Sequence, residues 1–378
     1  MFGRRKAQQG ATLVVSIGAA QVALCIVVQS RGTQAIVLSA EGALAPEKRS
    51  NPQTSAALKQ LLLDKATTLL KTYSDTNAAR IRRVFVVLEA PLSQASIVSA
   101  RKTFPEAERV TDTLLDSLAR SALADAGSKA DFLSASMLRV QLNGYNTERP
   151  EGKYAMAVDL IGLTATAEAG LKDALVATLQ TLLPDVRISM WSGTLALIKT
   201  VLDRGGVDAD NSLALHVSVE GTELVAFHDR VPSICAFIPV GMRTIAEKAA
   251  PGKPAQATLD ALRLATRGEL SDTAVATDES SLMRMESELA HDFGEALSKL
   301  SAGQRLPPGA LLIAPPEIAD WFSRFISRID FAPFTMTAQP FTASILRPQD
   351  TSQNGRGAPN SIALSLALSL LHHQQTHE

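Results

Sequence analysis

Apolar residues open the chain in three short runs: Thr12–Ile17, Val22–Gln29 and residues 33–42. Val, Ile and Thr are frequent in them, which suits strands better than a soluble helix. A turn through Gly18-Ala19-Ala20 divides the first run from the second, and Ser30-Arg31-Gly32 divides the second from the third at hairpin distance. This pattern predicts a β-meander. The stretch 11–28 carries no charge and follows "MFGRRK", so it also has features of a signal peptide or a membrane anchor. A spanning helix needs about 20 apolar residues, and Ser16 and Gln21 interrupt this shorter run.

Downstream the period changes. Residues 54–73 and 111–127 have apolar positions at helical spacing, and Thr54 or Ser55 is a plausible N-cap for the first of them. "RRVFVVLEAP" at 82–91 reads as a buried strand ending at a proline. Residues 134–168 read as two strands around a Gly/Pro turn, and 169–184 and 193–206 as helices. At 211–241 strand, turn, strand, turn, strand returns, an internal echo of the first 42 residues. Helices are expected at 257–267 and 280–300. A strand, a Pro-rich turn and a helix are expected at 307–329, and a last apolar helix within "NSIALSLALSLLHH". Residues 43–53 and 351–359 read as loops.

The chain has 378 residues, 46% of them hydrophobic and 20% charged, enough for two domains or one bilobed unit with sizeable cores. A formal net charge of -1 excludes an electrostatic footprint for nucleic acid. Cys25 and Cys235 lie inside apolar runs and read as core residues in a reducing compartment. There is no CxxC pair and no HExxH. His216 reads as structural, and His372, His373 and His377 as a solvated tail. Ser16 lacks the G-x-S-x-G context of a nucleophile. Glu223 and Asp159 form a carboxylate pair only if the fold unites them.

Two lobes, each opening with a meander whose first turn is tight, is the layout of an actin-like fold, in which both turns face a cleft and grip ATP phosphates. In order and spacing, the chain resembles the FtsA/PilM branch of actin-like proteins across most of its length. "SIGAAQVALCIVV" lies in register with that family's opening Asp-Ile-Gly turn, "HVSVEGTELVAF" at 216–227 with its second phosphate turn, and "IPVGMRTIAEKAA" at 238–250 with its following turn and helix. "LNGYNTERPEGKYAMAVDL" at 142–160 resembles a feature of the subdomain that FtsA inserts into its first lobe, which tilts the resemblance toward FtsA.

The resemblance implies a bilobed α/β fold of the actin-like (ASKHA/ribonuclease H-like) class, with an FtsA-type (SHS2-type) α+β insertion. The implied organisation is a first lobe at 1–81, the insertion at 82–190, a connecting helix at 191–210, a second lobe at 211–340 with a short outer subdomain at 251–281, and a return to the first lobe at 341–378. The implied nucleotide cleft comprises Ser16, Gly18, Ala19, Gly221, Thr222, Glu223 and Gly241. Its chemistry is eroded. Ser16 stands at the first Asp position, Ala19 at the Thr/Ser position and His216 at the second Asp position. Ser218, Val219 and Glu220 replace glycines, and Glu220 would repel a triphosphate. The adenine-bordering turn is "IAPPE" at 313–317, where Pro316 offers no N–H.

The implied function is therefore a non-catalytic cytoplasmic scaffold of an envelope machine, with no cofactor predicted and ATP/Mg²⁺ disfavoured. FtsA-like cell division leads. A PilM-like component of type IV pilus assembly, holding a peptide of an inner-membrane partner, is the alternative, and an active ATPase is a further one. Partners are proteins of the division or pilus machinery, with self-association open and nucleic acid excluded. Membrane contact is at most peripheral: the final helix lacks Lys and Arg and is expected to pack against the first lobe. The three basic residues near the N-terminus supply about 1 kcal/mol each at an anionic surface.

Overall fold

The computed structural model describes residues 10–30, 33–44, 53–76, 79–123, 131–168, 170–267, 279–335, 341–347 and 361–377. The basic start, most of the loop expected at 43–53, the loop at 351–359 and part of the outer segment 251–281 lie outside the described residues.

The first lobe is a five-stranded sheet in the order β3-β2-β1-β4-β9. The opening runs form its meander, β1 (Ala11–Gly18), β2 (Gln21–Ser30) and β3 (Thr33–Ala43), with only Ala19 and Ala20 between the first two strands. β4 (Ile81–Leu88) lies parallel to β1, and β9 (Arg187–Ser192) lies parallel to β4. β1 is buried along its length. Its backbone pairs with β2 on one side and β4 on the other, so this stretch is a central sheet strand and not a spanning helix. Among the described residues, no helix is long and apolar enough to cross a membrane.

α1 (Gln53–Thr76) covers one face of this sheet. It buries Leu58, Leu62, Ala66, Leu69 and Tyr73, spaced three or four apart, so one stripe faces the core. α3 (Leu171–Leu182) lies beside it and adds Leu171, Leu175 and Leu179 to the same cluster.

The second lobe repeats the plan in the order β12-β11-β10-β13-β14. Its meander is β10 (Leu213–Val217), β11 (Thr222–His228) and β12 (Val231–Ile238). β13 (Gly309–Ile313) and β14 (Thr342–Ile345) continue it in parallel. Four helices flank it: α5 (Met242–Ala249), α6 (Ala255–Arg267), α7 (Glu279–Ser301) and α8 (Ala319–Arg328). The core on this side includes Phe293 of α7 packed edge-on against Phe322 and Phe325 of α8.

Between the lobes run α4 (Gly193–Arg204) and α9 (Ile362–His377). Both are apolar around most of their circumference, as helices enclosed on all sides must be. They share one cluster with Val14, Cys25 and Phe85 of the first lobe and with Val225, Phe227 and Ile313 of the second. The final helix thus packs where the sequence placed it, but His373 is not solvated tail: it is half-buried and pairs with Asp203 of α4 at 3.7 Å.

The insertion is a four-stranded antiparallel sheet in the order β5-β8-β6-β7. Its strands are β5 (Ser93–Arg109), β6 (Phe132–Leu142), β7 (Tyr145–Asn146) and β8 (Tyr154–Ala167), and α2 (Asp112–Leu123) covers one face. Its limits are narrower than the expected 82–190, because β4, α3 and β9 belong to the first lobe by pairing and packing. Similarly, β14 belongs to the second-lobe sheet, so the return to the first lobe starts at α9. Hydrophobic periodicity finds strands and helices but does not say which sheet a strand joins.

Candidate functional site

Strand alternation decides which polar side chains meet between the lobes. In β1, Leu13, Val15 and Ile17 face the first-lobe core, whereas Val14 faces the inter-lobe cluster. Ser16 has the parity of Val14. In β4, Val84, Val86 and Leu88 face the first-lobe core and Phe85 and Val87 the other way, so Glu89 follows Phe85 and Val87. In β10, Leu213, Leu215 and Val217 belong to the second-lobe core and Ala214 to the inter-lobe cluster, which His216 joins by parity. Glu223 of β11 shares the parity of Val225 and Phe227. Strands β1, β10 and β11 and the residue that follows β4 therefore each send one polar side chain into the same apolar interface.

There these residues find partners. Ser16 Oγ donates to Glu89 Oε1 at 2.8 Å. Thr194, in the first turn of α4, donates its hydroxyl to Glu223 Oε1. His216 Nδ1 lies 3.8 Å from Glu223 Oε2. Ser16, Glu89, Thr194, His216 and Glu223 are each at most 5% exposed. Burial raises the Glu89 pKa above the ordinary carboxylate range. His216 and the Ser16 hydrogen bond oppose that shift, and the charge of Glu223 reinforces it. The α4 N-terminus approaches β4 closely. A Cβ on Gly193 would meet Glu89 Cα at 3.1 Å, and Ser192 caps the helix by accepting from Leu195 N–H at 3.3 Å.

The first turn, at Gly18-Ala19-Ala20, rests on this cluster. A Cβ on Gly18 would lie 3.1 Å from Glu89 Oε2. The Ala20 carbonyl accepts from Leu44 N–H at 2.7 Å, tying the turn to the end of β3. Ala19, with no hydroxyl to offer, lines the space beside Glu220.

The second turn is closed from within. Its Ser218 and Val219 carbonyls accept from Met242 and Arg243 N–H, both at 3.0 Å, and these are the first two N–H groups of α5. A helix N-terminus in this position is what would greet a phosphate; here its leading donors are used. Thr222 Oγ1 donates to the Val240 carbonyl at 2.7 Å. Ser218 N–H and Oγ both donate to the Gly221 carbonyl, at 2.8 and 2.9 Å. Gly221 and Gly241 pack together. A Cβ on Gly241 would lie 2.3 Å from Gly221 N, and one on Gly221 would lie 2.1 Å from Phe237 Cζ. These glycines serve close backbone contact between turn and helix.

Glu220 is not left to repel a ligand. Its Oε2 accepts from Arg243 Nη2 at 2.7 Å and Nε at 2.9 Å. At the third turn, the Pro315 carbonyl accepts from Ile318 and Ala319 N–H at 3.0 and 2.9 Å. Between the first turn, Glu89, Ala90 and Ser218–Glu220 there is a cavity of about 10 Å³, room for no more than one water.

Larger cavities open along the edges of the insertion. One of about 650 Å³ lies between Thr54 of α1, Leu92 and Gln94, residues 166–168, and Phe237, Pro239 and Arg243. One of about 310 Å³ lies between Pro91–Ala95 and Cys235–Phe237 of β12, with Thr194 and Glu223 also lining it.

Of the residues expected to form the cleft, Ser16, Gly18 and Ala19 lie on one side and Gly221, Thr222, Glu223 and Gly241 on the other. Asp159 does not pair with Glu223; it faces Arg101 at 3.5 Å within the inserted sheet. Sequence reasoning missed Glu89 and Thr194. The available cue was a lone carboxylate closing the apolar run "VFVVLE". Burial pushes both cysteine thiols up to about 12, which leaves them unreactive. Among the described residues, no three His, Cys, Asp or Glu side chains form a metal-ligand group.

Neither a protein-family model nor a curated protein matches this chain. Solved structures do. A structure of the PilM-PilN type IV pilus biogenesis complex aligns with 96% of this chain and 98% of its own at 14% identity, with a TM-score of 0.60. A Bacteroides thetaiotaomicron protein with an actin-like ATPase fold and unknown function aligns at 10% identity over 98% and 99% of the two chains, TM-score 0.42. The ethanolamine utilization protein EutJ from Carboxydothermus hydrogenoformans aligns at 10% identity over 95% and 89%, TM-score 0.40. With two meander-opening sheets facing across α4 and α9, the chain is a bilobed α/β protein with the actin-like ATPase fold.

Proposed function

We propose that this chain is a non-catalytic, cytoplasmic, PilM-like scaffold of an envelope machine, holding a segment of a partner protein instead of a triphosphate. One observation carries the reading: at the second turn the Ser218, Met242 and Arg243 N–H groups and the Thr222 hydroxyl all donate within the protein itself. Phosphate binding needs those donors, and a buried carboxylate, Glu89, stands beneath the opposite turn. Binding ATP would require breaking both arrangements and placing its charge beside Glu89.

The PilM-like version takes its support from the alignment over nearly all of both chains with the PilM-PilN complex, and from the cavities of about 650 and 310 Å³ beside the insertion. The FtsA-like version takes its support from the motif at 142–160. In the structure the Asn143-Gly144 part of that motif is a tight β6–β7 turn with φ of 51° and 85°, a geometry common to hairpins. The pilus version is therefore placed first.

Titration of the purified chain with Mg²⁺-ATP, followed by calorimetry, tests the non-catalytic part. The expected result is no saturable binding below millimolar concentration. Micromolar affinity, or measurable turnover, overturns it. A photo-crosslinking residue at Gln94 tests the docking part in cells. It is expected to capture a pilus-assembly protein, and capture of division proteins alone would move the scaffold to the other machine.

A further inference from the structure

The cavity of about 310 Å³ between the insertion and β12 has an unusual floor. Its walls are apolar, from Pro91 and Ala95 on one side and Phe237 on the other. The Cys235 thiol on the β12 side is neutral and donates to the Ala95 carbonyl at 3.1 Å. Lining the same cavity is the buried carboxylate of Glu223. Its Oε1 is taken by the Thr194 hydroxyl. Its Oε2 lies 3.8 Å from His216 Nδ1, beyond hydrogen-bond length. A carboxylate offers about four acceptor sites, so Glu223 retains capacity.

The local charge is also uneven. Glu89 and Glu223 are both buried and interact electrostatically, and His216 acts on Glu89 and lies beside Glu223. Burial favours the neutral form of Glu89, so the acceptor that lines the cavity is Glu223. Arg243 is not among the residues lining this cavity, and its guanidinium is engaged by Glu220 and Glu247.

We propose that this cavity receives the ammonium of a lysine carried by the docked partner segment, with its alkyl stem between Pro91, Ala95 and Phe237 and its head on Glu223. The assignment rests on the partner-docking reading above and specifies the chemistry of the segment. An ammonium suits the site better than a guanidinium. Only one carboxylate oxygen is open, so the paired donors of arginine would not be matched.

The probe is N-acetyl-lysine N-methylamide, titrated into the full chain and followed by amide chemical shifts in NMR. Saturable binding is expected, with shifts at Ala95, Glu223 and Phe237. Affinity should be at least tenfold weaker for the norleucine analogue, which keeps the stem and lacks the charge. Glu223→Gln should abolish the preference for lysine over norleucine. Gln94→Trp, at an exposed rim position of the same cavity, should block the probe without touching the carboxylate, and so serves if Glu223→Gln does not fold. The assignment is overturned by no saturation at 100 mM probe, by equal affinity for norleucine, or by tighter binding of the arginine analogue. A partner segment that crosslinks at Gln94 while the lysine probe fails removes this assignment and leaves the scaffold reading standing.

Discussion

The first turn, between β1 and β2, and the second, between β10 and β11, occupy matching places in two lobes that repeat one plan, yet different forces close them. The first is shaped by a side chain from outside it, Glu89, which accepts from Ser16 and lies beneath Gly18. The second is shaped by its own backbone, whose carbonyls take the leading donors of α5 while Gly221 and Gly241 pack without room for a Cβ. A side chain can be replaced in one step. A backbone arrangement that positions a helix cannot, so reshaping is a different problem at each turn.

Glycine substitution probes this contrast most strongly. Gly241→Ala drives a Cβ into the Gly221 backbone and is expected to cost about 3 kcal/mol or more, read as a lower midpoint in urea. Gly18→Ala meets only the end of the Glu89 side chain, which can move, and is expected to cost about 1 kcal/mol. Equal losses at the two sites would remove the distinction.

Next in size is Ser16→Asp, which returns the acid the family resemblance puts in the first turn. It trades a hydroxyl donor for a second buried carboxylate against Glu89. A loss of about 2 kcal/mol is expected, largely recovered when Glu89→Gln is added. A double-mutant cycle in denaturant measures that coupling; additivity would show that the two residues act independently.

Glu89→Gln alone is expected to stabilise the protein at pH 7, by on the order of 1 kcal/mol. The sign follows from linkage. Burial raises the pKa of Glu89 in the folded state, so the folded chain holds that proton more tightly than the unfolded chain does. The penalty for burying the charge is full above the folded pKa. It shrinks as pH falls through that value and is gone below the unfolded value of about 4.3. Urea midpoints of the two proteins should therefore converge in acid, and a constant gap would mean the charge is not the cause.

A smaller effect is expected at the second turn's surface. Arg243→Gln removes the pairing of Glu220 and should cost about 0.5 kcal/mol, reduced further by salt because Arg243 is partly exposed. Smallest of all should be the gain of ATP binding when Ser16→Asp, Ala19→Thr and Glu89→Gln are combined. None is expected by calorimetry, because the second turn still consumes its own donors.

Much of this was legible in the residues. The apolar, Val- and Ile-rich runs Thr12–Ile17 and Val22–Gln29, and their echo at 211–241, predicted strand–turn–strand units, and their order pointed to two lobes. That Ser16 and His216 stand where the resembled family carries acids could be read directly. Glu89 was harder to recognise. As one carboxylate before a proline it looked like a strand end, and only the parallel pairing of β4 with β1 places it under Gly18. The insertion's limits escaped for the same reason. β4 and β9 are apolar strands like any others, and hydrogen-bonding neighbours distant in sequence decide which sheet they complete.

By itself the sequence determined where strands and helices form and the inward-facing stripe of helices such as α1, because apolar runs and helical spacing are properties of neighbouring residues. It also determined that Ser16, Ala19 and His216 stand where the resembled family carries Asp, Thr or Ser, and Asp. Only the tertiary structure decided what surrounds them. Ser16, Glu89, Thr194, His216 and Glu223 come from separate segments, and they meet because α4 and α9 hold the two sheets face to face. The roles of those residues depend on burial and on partners that no local pattern encodes.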